Sequence, residues 1–324
     1  MTSTGIPTSM LRPRPFRILV GFDGSRASER ALAEAGALGA QLGAQLTVLC
    51  VAEFEGDEKA FPARLAKARG ILRETGQRAL VLARTGKPDK ELAATVRELG
   101  YDLVVVGGAP RAGEPGFRLP RTSYRVLKLV QPAVLIAKGH RPKLRRILLC
   151  TGGLWTAELE RAIPFVAERI ARPAGAEILL YSVVIATPPM FSRDLDDAER
   201  ARRILETGSA LGTHLRHCRR LVERAGVGVS VRVGTGDVVP AVLREIRRAD
   251  VDLVAVGSSP PRGRLGSYVL GDLAREILDA ADRPVLVLHT LALGPWGQLW
   301  RSLSGVFRGG KGVDAAPPSP PSSP

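Results

Sequence analysis

The stretch Arg17-Ile-Leu-Val-Gly-Phe-Asp-Gly-Ser25 decides the fold of its half of the chain, because a short apolar run ends there in a glycine-containing turn. A related stretch, Arg146-Ile-Leu-Leu-Cys-Thr-Gly-Gly-Leu154, occurs in the second half. Two further pairs of blocks recur in the same order, namely 101–108 with 251–258 and 131–136 with 283–288. Three matched blocks in one order predict two copies of a single structural unit.

Within the first copy, short runs rich in Val, Ile and Leu alternate with stretches of helical periodicity. Such alternation is typical of a parallel sheet that is covered by helices on both faces. The predicted strands are 17–22, 45–51, 78–83, 102–107 and 133–138, and the predicted helices are 27–42, 62–75, 89–99 and 121–130. The sequence therefore predicts an α/β protein with two tandem, doubly wound, five-stranded parallel-sheet domains of flavodoxin-like layering.

The repeat also predicts the domain boundaries. We expect a disordered arm over 1–15, a first domain over 16–139, a linker over 140–144 and a second domain over 145–290. The offset between matched blocks grows from 129 residues (17 to 146) to 150 residues (101 to 251), which places an insertion near 185–225. The last strand of each copy is apolar, so we expect the two domains to pair along these edges.

Composition argues against several classes of protein. The 324 residues carry a formal charge of +15, but along 193–224 the cations alternate with carboxylates, which is typical of solvated helices and makes nucleic-acid binding unlikely. Cys50, Cys150 and Cys218 have no paired spacing, so no disulfide framework is predicted. The N-terminal segment is typical of neither a signal peptide nor a membrane span, and we expect a cytoplasmic protein.

The candidate site lies where the strands end. In a doubly wound sheet, ligands bind beyond the carboxyl ends of the strands at the point where strand order reverses. In the first copy, the residues that follow the first and fourth strands there are 22–25 and 106–109. Their glycines let backbone amides approach a phosphate, although Asp23 is equally compatible with a plain helix cap.

The segments 18–25, 28–31, 42–46 and 102–107 resemble the universal stress protein family. The resemblance spans nearly all of 17–138 and most of 145–289, and it implies a non-enzymatic stress-response regulator. Nucleotide-binding members are similar in an Asp after strand one and in the pattern Gly-x2-Gly-x9-Gly-Ser/Thr after strand four. The resemblance implies an ATP site in the first domain that is formed by Asp23, Val51, Gly107, Gly108, Arg121, Thr122 and Ser123.

The first copy keeps only part of that pattern. Asp23 and Gly107 match, but Pro110 replaces the second glycine and Pro120-Arg121 replaces the final pair. The loss of two donors at about 1.5 to 3 kcal/mol each would weaken binding by on the order of 10² to 10⁴.

The second copy departs further from the pattern. Gly152 replaces the aspartate, and Asp272 brings a carboxylate to the phosphate position. Because that carboxylate would repel a polyphosphate, we expect weak ATP binding in the first domain only. The alternative is an interaction scaffold of the same fold that binds no nucleotide and contacts a protein partner that the sequence does not identify.

Two other patterns concern metal binding and catalysis. His214, His217 and Cys218 have metal-ligand spacing on a helix, but no fourth ligand is evident, so we predict no metal site. No nucleophile has an orienting base, and hence we predict no catalytic residues and no enzyme.

The C-terminal region is predicted in two parts. Apolar residues at helical spacing within 291–310, including Trp296 and Trp300, predict an amphipathic helix. Docking of this helix onto the chain's own domains is favoured over contact with a membrane surface or a protein partner. The Pro/Ser-rich tail 311–324 is predicted to be disordered.

Overall fold

A computed structural model describes residues 14–54, 56–110, 117–139, 143–152, 159–184, 195–258 and 271–289. The predicted C-terminal helix and tail, and all of the predicted N-terminal arm except residues 14 and 15, lie outside these ranges. No helix among the described residues is both long and apolar enough to cross a membrane.

Ten strands form one sheet. The first copy contributes β1 (Arg17–Gly21), β2 (Gln45–Ala52), β3 (Ala79–Thr85), β4 (Leu103–Gly107) and β5 (Ala133–Ala137). The second copy contributes β6 (Arg146–Cys150), β7 (Glu177–Val184), β8 (Val229–Thr235), β9 (Leu253–Gly257) and β10 (Val285–Leu288). The order across the sheet is β8-β7-β6-β9-β10-β5-β4-β1-β2-β3, and all neighbours within a copy are parallel. The predicted fold class is thus confirmed.

Helices cover both faces of the sheet. In the first copy they are α1 (Arg26–Leu42), α2 (Phe61–Glu74), α3 (Pro88–Leu99) and α4 (Arg121–Leu129), and a 3₁₀ turn (Asp57–Ala60) precedes α2. The second copy has α5 (Leu159–Pro164), a π-helical stretch (Phe165–Ala171), α6 (Arg172–Ala174), α7 (Asp197–Glu206), α8 (Ala210–Arg224), α9 (Val238–Arg248) and α10 (Asp272–Ala280). A two-residue ribbon pairs Ala109–Pro110 with Phe117–Arg118.

The continuous apolar runs reflect burial of the strands on both faces. Ile18 and Val20 of β1 belong to one core with residues of α1 and α2, whereas Leu19 belongs to another with residues of α3 and α4. Since successive side chains of a strand point to opposite faces, a strand that is covered on both sides needs apolar residues at every position.

The two copies meet edge to edge in the middle of the sheet. Strands β5 and β10 are antiparallel, with the partners Ile136 and Val285, Leu135 and Leu286, and Val134 and Val287. Next to this seam the buried Lys138 donates hydrogen bonds to the carbonyls of Leu278 and Ala281 at the C-terminal end of α10. Burial lowers the pKa of Lys138 to about 8. A lysine of the first copy therefore caps a helix of the second.

The connection from the second to the third strand differs between the copies. In the first copy it carries one α-helix, α2, whereas in the second it carries both α7 and α8. Helix α7 packs against β8, the last strand at that end of the sheet. Its Arg200 is 3% exposed, and the guanidinium donates to the Val233 carbonyl at 2.7 Å and to Asp197 Oδ1 at 2.8 Å. The extra helix is thus fastened to the outer strand through a buried cation.

Replacement of this cation tests how firmly α7 is held. Arg200→Met is expected to lower the free energy of unfolding by about 2 kcal/mol, because the partly buried Asp197 carboxylate and the Val233 carbonyl lose a charged donor. Denaturant titration followed by circular dichroism measures the change. Arg203→Met on the same helix is the control: its guanidinium is 47% exposed and pairs with Glu199 at 3.2 Å, so it should change stability by less than about 0.5 kcal/mol. Equal effects of the two variants would contradict the prediction.

Candidate functional site

The turn from β1 into α1 presents one carboxylate at the edge of the sheet. Asp23 is exposed, and its Oδ1 accepts a hydrogen bond from the Ser25 amide at 2.9 Å. Ser25 caps α1 by accepting from the Ser28 amide at 3.2 Å, and Gly24 takes the left-handed conformation (φ 82°) that the tight turn requires. Desolvation raises the pKa of Asp23, but hydrogen bonds from Ser25 and Ser28 outweigh it and hold the pKa below its usual value. The carboxylate is therefore charged at neutral pH.

The end of β4 lies directly against this turn. A Cβ on Gly107 would lie 2.4 Å from the carbonyl oxygen of Ala27, so only glycine lets α1 begin so close to β4. The next residue, Gly108, donates its amide to Ala137 at 2.8 Å and accepts from Arg30 Nη2 at 3.2 Å. Of the predicted residues, Asp23 thus follows β1, Gly107 ends β4 and Gly108 follows it. The strand order reverses between β1 and β4.

The N-terminus of α4 completes this edge of the first copy. Pro120 occupies the cap position, no side chain caps the helix, and the first turn holds no acidic residue. Arg121 and Thr122 are exposed. Ser123 is buried, and its hydroxyl donates to the Gly107 carbonyl at 3.0 Å. Arg121 and Thr122 remain accessible to a ligand, whereas the Ser123 hydroxyl fastens α4 to β4.

Val51, the other predicted residue, lies at the end of β2. Its side chain is buried, and its carbonyl accepts from Arg64 Nη1 at 3.4 Å. Arg64 also forms an ion pair with Asp57 at 2.6 Å. The Val51 carbonyl at the end of β2 is therefore already hydrogen-bonded by a side chain of α2.

Sequence reasoning did not find the cations that surround the Asp23 turn. Arg30 reaches Gly108 from α1, and Lys67 Nζ of α2 donates to the Gly24 carbonyl at 3.2 Å. Arg64, one turn before Lys67, lies beside the same turn, since its Cγ is 3.5 Å from the position of a Cβ on Gly24. The spacing of Arg64 and Lys67 on one face of α2 was the available signal, but only the packing shows what that face meets.

The equivalent edge of the second copy carries different chemistry. The Thr151 amide donates to Tyr181 at 2.9 Å, as the Phe22 amide donates to Leu49, and Gly152 therefore stands where the first copy has Asp23. Ser258 replaces Gly108 and donates its amide to Leu288 at 2.9 Å. Helix α10 begins at Asp272, the counterpart of Arg121, so a carboxylate lies in its first turn.

Two of the three α8 residues with metal-ligand spacing, His214 and Cys218, lie against each other in the core. His214 is buried, its Nε2 lies 3.6 Å from the Sγ of Cys218, and burial raises the pKa of that thiol to about 12. In the part of the chain that the structure describes, no three His, Cys, Asp or Glu side chains are grouped to hold a metal ion.

These features define the class of protein: two doubly wound α/β units in one sheet, with glycine turns, a carboxylate and an open helix N-terminus at the switch point of the first unit. The family model of the universal stress protein family matches residues 16–138 and again 143–289. The chain belongs to the universal stress protein family, in a tandem arrangement.

Solved structures show the same fold. A universal stress protein from Archaeoglobus fulgidus DSM 4304 is 18% identical, with a TM-score of 0.64 over 85% of this chain and 98% of its own. A functionally unknown protein from Pseudomonas aeruginosa PAO1 is 20% identical, with a TM-score of 0.59 over 85% of this chain and 92% of its own. A search of curated proteins gave no match.

Proposed function

We propose that this protein is a stress-response regulator without catalytic activity, whose first domain binds an adenine nucleotide such as ATP weakly and whose second domain does not. The observation that carries the proposal is the difference between the two copies at the carboxyl ends of their strands. The first edge has an ionised Asp23 and a helix N-terminus free of acidic side chains, whereas the second has Gly152 and Asp272.

The chemistry of the first edge suits a nucleotide. A helix N-terminus attracts phosphate because its first amides point outward and its dipole is positive there. Arg121 and Thr122 add a cation and a hydroxyl at that end, while the Asp23 carboxylate can accept hydrogen bonds from hydroxyl or amine groups of the nucleoside. A ligand with an anionic end and a donor-rich end would satisfy both sides of the crevice.

The same structure explains why the binding should be weak. The Ser123 hydroxyl is engaged with Gly107, Arg64 contacts the Val51 carbonyl, and Pro120 offers no amide at the cap. Each of these three features leaves one fewer protein group available to hydrogen-bond a ligand. We therefore expect a dissociation constant that exceeds that of a site with the complete glycine pattern by on the order of 10² to 10⁴.

Titration calorimetry of the full chain with ATP tests the proposal. We expect one site per chain, and Asp23→Ala should weaken binding at least about tenfold, because a charged acceptor is lost. Asp272→Ala is the matched control in the second domain and should leave affinity and stoichiometry unchanged. Melting curves of both variants establish that each remains folded.

The outcomes separate the proposed function from its alternative. Two sites per chain, or binding that is unchanged in Asp23→Ala, would refute the assignment to the first domain. If ATP, ADP and AMP at millimolar concentration neither release heat nor raise the melting temperature, the proposed nucleotide function is refuted, and the alternative of an interaction scaffold is favoured.

A further inference from the structure

The two outer strands of the sheet differ in whether a helix covers them. Because β5 and β10 pair with each other, the strands left at the ends of the sheet are β3 and β8. Strand β8 is packed against α7, whose Arg200 donates to the Val233 carbonyl. The first copy has no counterpart of α7 among the described residues. Among the residues that the structure describes, no strand therefore pairs with the outer edge of β3.

The two outer strands also differ in the polarity of their side chains. β3 and β8 have seven residues each and align from Ala79 with Val229, since these pair with equivalent residues of the second strand of each copy. Ser230 and Arg232 of β8 then correspond to Leu80 and Leu82 of β3. The strand that is covered is polar on this face, and the strand that is open is apolar.

Leu80 is the clearest sign of a missing partner. It is 56% exposed, and within the described ranges it is the one large apolar side chain of a strand among those with substantial exposure. Outer strands usually carry a charged residue or a covering element at such a position because apolar edges associate. Here Arg84 is the sole charged residue of β3, and it is already paired with Glu98 and Glu91.

We infer that β3 is an interaction edge for a second copy of this chain, with β3 of one protomer antiparallel to β3 of its partner across a twofold axis at Leu82. This register uses the full length of Ala79–Thr85. It places Leu80 opposite the aliphatic stem of the partner's Arg84 and diagonal to the partner's Leu82. It sets Arg78 opposite the partner's Gly86, whereas a shift of the axis to Val81 would set Arg78 opposite the partner's Arg84.

The chain already contains one junction of this kind. The contact between β5 and β10 is an antiparallel pairing of apolar outer strands from two copies of the same fold. A β3 pairing would continue the ten-stranded sheet across the dimer axis. A second copy also presents the same apolar outer strand, so that one contact covers β3 of both protomers.

The size and charge of the contact fix its expected strength. A single pair of seven-residue strands buries less surface than a stable dimer needs, so we expect dimers to become appreciable at about 100 μM protein. The net charge of +15 on each protomer opposes association. Added salt screens that repulsion and should strengthen the dimer.

Sedimentation velocity of the full chain at 5 to about 200 μM, in low and high salt, tests the inference. Wild type should shift from monomer to dimer, and more so in high salt. Leu80→Lys should remain monomeric throughout, because it buries a charge in the contact. Ser230→Lys, the same residue type at the equivalent position of β8, should behave like wild type.

A cross-linking experiment tests the register. Leu82→Cys places two thiols on the axis, where directly opposed Cα atoms lie about 4.5 to 5.5 Å apart and a disulfide can form. Thr85→Cys places them at opposite ends of the contact, so oxidation should give covalent dimers of the first variant and not of the second. A wild-type chain that stays monomeric, or a dimer that survives Leu80→Lys, overturns the inference. Dimers lost equally in Ser230→Lys overturn it as well.

Discussion

Gly107→Ala is expected to lower the free energy of unfolding by about 3 kcal/mol, a large effect for the addition of one methyl group. The added Cβ would lie 2.4 Å from the backbone oxygen of Ala27 and 2.8 Å from its Cβ. A backbone oxygen cannot rotate away as the end of a long side chain can. The start of α1 must therefore move away from β4, and the Asp23 turn, which leads into α1, moves with it.

The variant should also lose any nucleotide binding in the first domain. Denaturant titration measures the stability, and calorimetry with ATP measures the binding. Gly70→Ala is the matched control, because a Cβ on Gly70 meets no atom within 4 Å and the residue lies inside α2. That control should raise stability by about 0.5 to 1 kcal/mol, since alanine is the better helix former. A Gly107→Ala protein as stable as wild type would show that α1 does not pack as tightly on β4 as described.

Glu34→Gln is expected to stabilise the protein by on the order of 4 kcal/mol at pH 9 and to have little effect near pH 4.5. Glu34 lies in α1 beside the seam and is 6% exposed. Its Oε1 accepts from the Gly139 amide at 2.8 Å, and its Oε2 has no hydrogen-bond partner among the described residues. Burial raises the pKa of this carboxyl from 4.5 to about 8, against the opposing effects of the Gly139 amide and the cations Arg30 and Lys138.

The sign follows from proton binding. Between pH 4.5 and 8 the unfolded chain releases the Glu34 proton while the folded chain retains it, so this residue lowers stability as pH rises through that window. Glutamine cannot titrate, but its amide oxygen still accepts from Gly139. Lys138, with its pKa lowered to about 8, titrates in both proteins.

Denaturant titrations of both proteins at several pH values from 4.5 to 9 measure this difference. Glu74→Gln is the control, because Glu74 lies exposed at the end of α2. Its difference from wild type should stay within about 0.5 kcal/mol across the same window. A Glu34→Gln difference that is equally small at pH 9 would show that the carboxyl is solvated in the folded protein.

Much of this fold could be predicted from the sequence because its strongest signals are local. The runs 18–22 and 103–107 contain no polar side chain, as strands covered on both faces require, and the structure places β1 and β4 there. Repetition of three blocks predicted two units without knowledge of any contact. The open glycine turns after these strands and the loss of the aspartate at Gly152 could likewise be read from the order of residues alone.

Other features of the candidate site depend on which residues that are distant in the sequence lie close together in the fold. Ser123 stays a predicted contact of the nucleotide, but the sequence does not reveal that the packing of α4 on β4 brings its hydroxyl to the Gly107 carbonyl, to which it donates. Arg30, Arg64 and Lys67 are ordinary helix-surface residues in the sequence, and only the placement of α1 and α2 brings them to the Asp23 turn.

Long-range packing likewise decides which charged side chains are buried and which outer strands are covered. A glutamate in a helical stretch, such as Glu34, gives no sign in the sequence that the packing of α1 beside the last strand of its copy buries it. The insertion could be located by counting residues, but its role in covering β8 appears only once α7 is packed there. Local sequence specifies strands, helices and turns, whereas charge states and exposed edges are set by long-range packing, because desolvation depends on every element that surrounds a group.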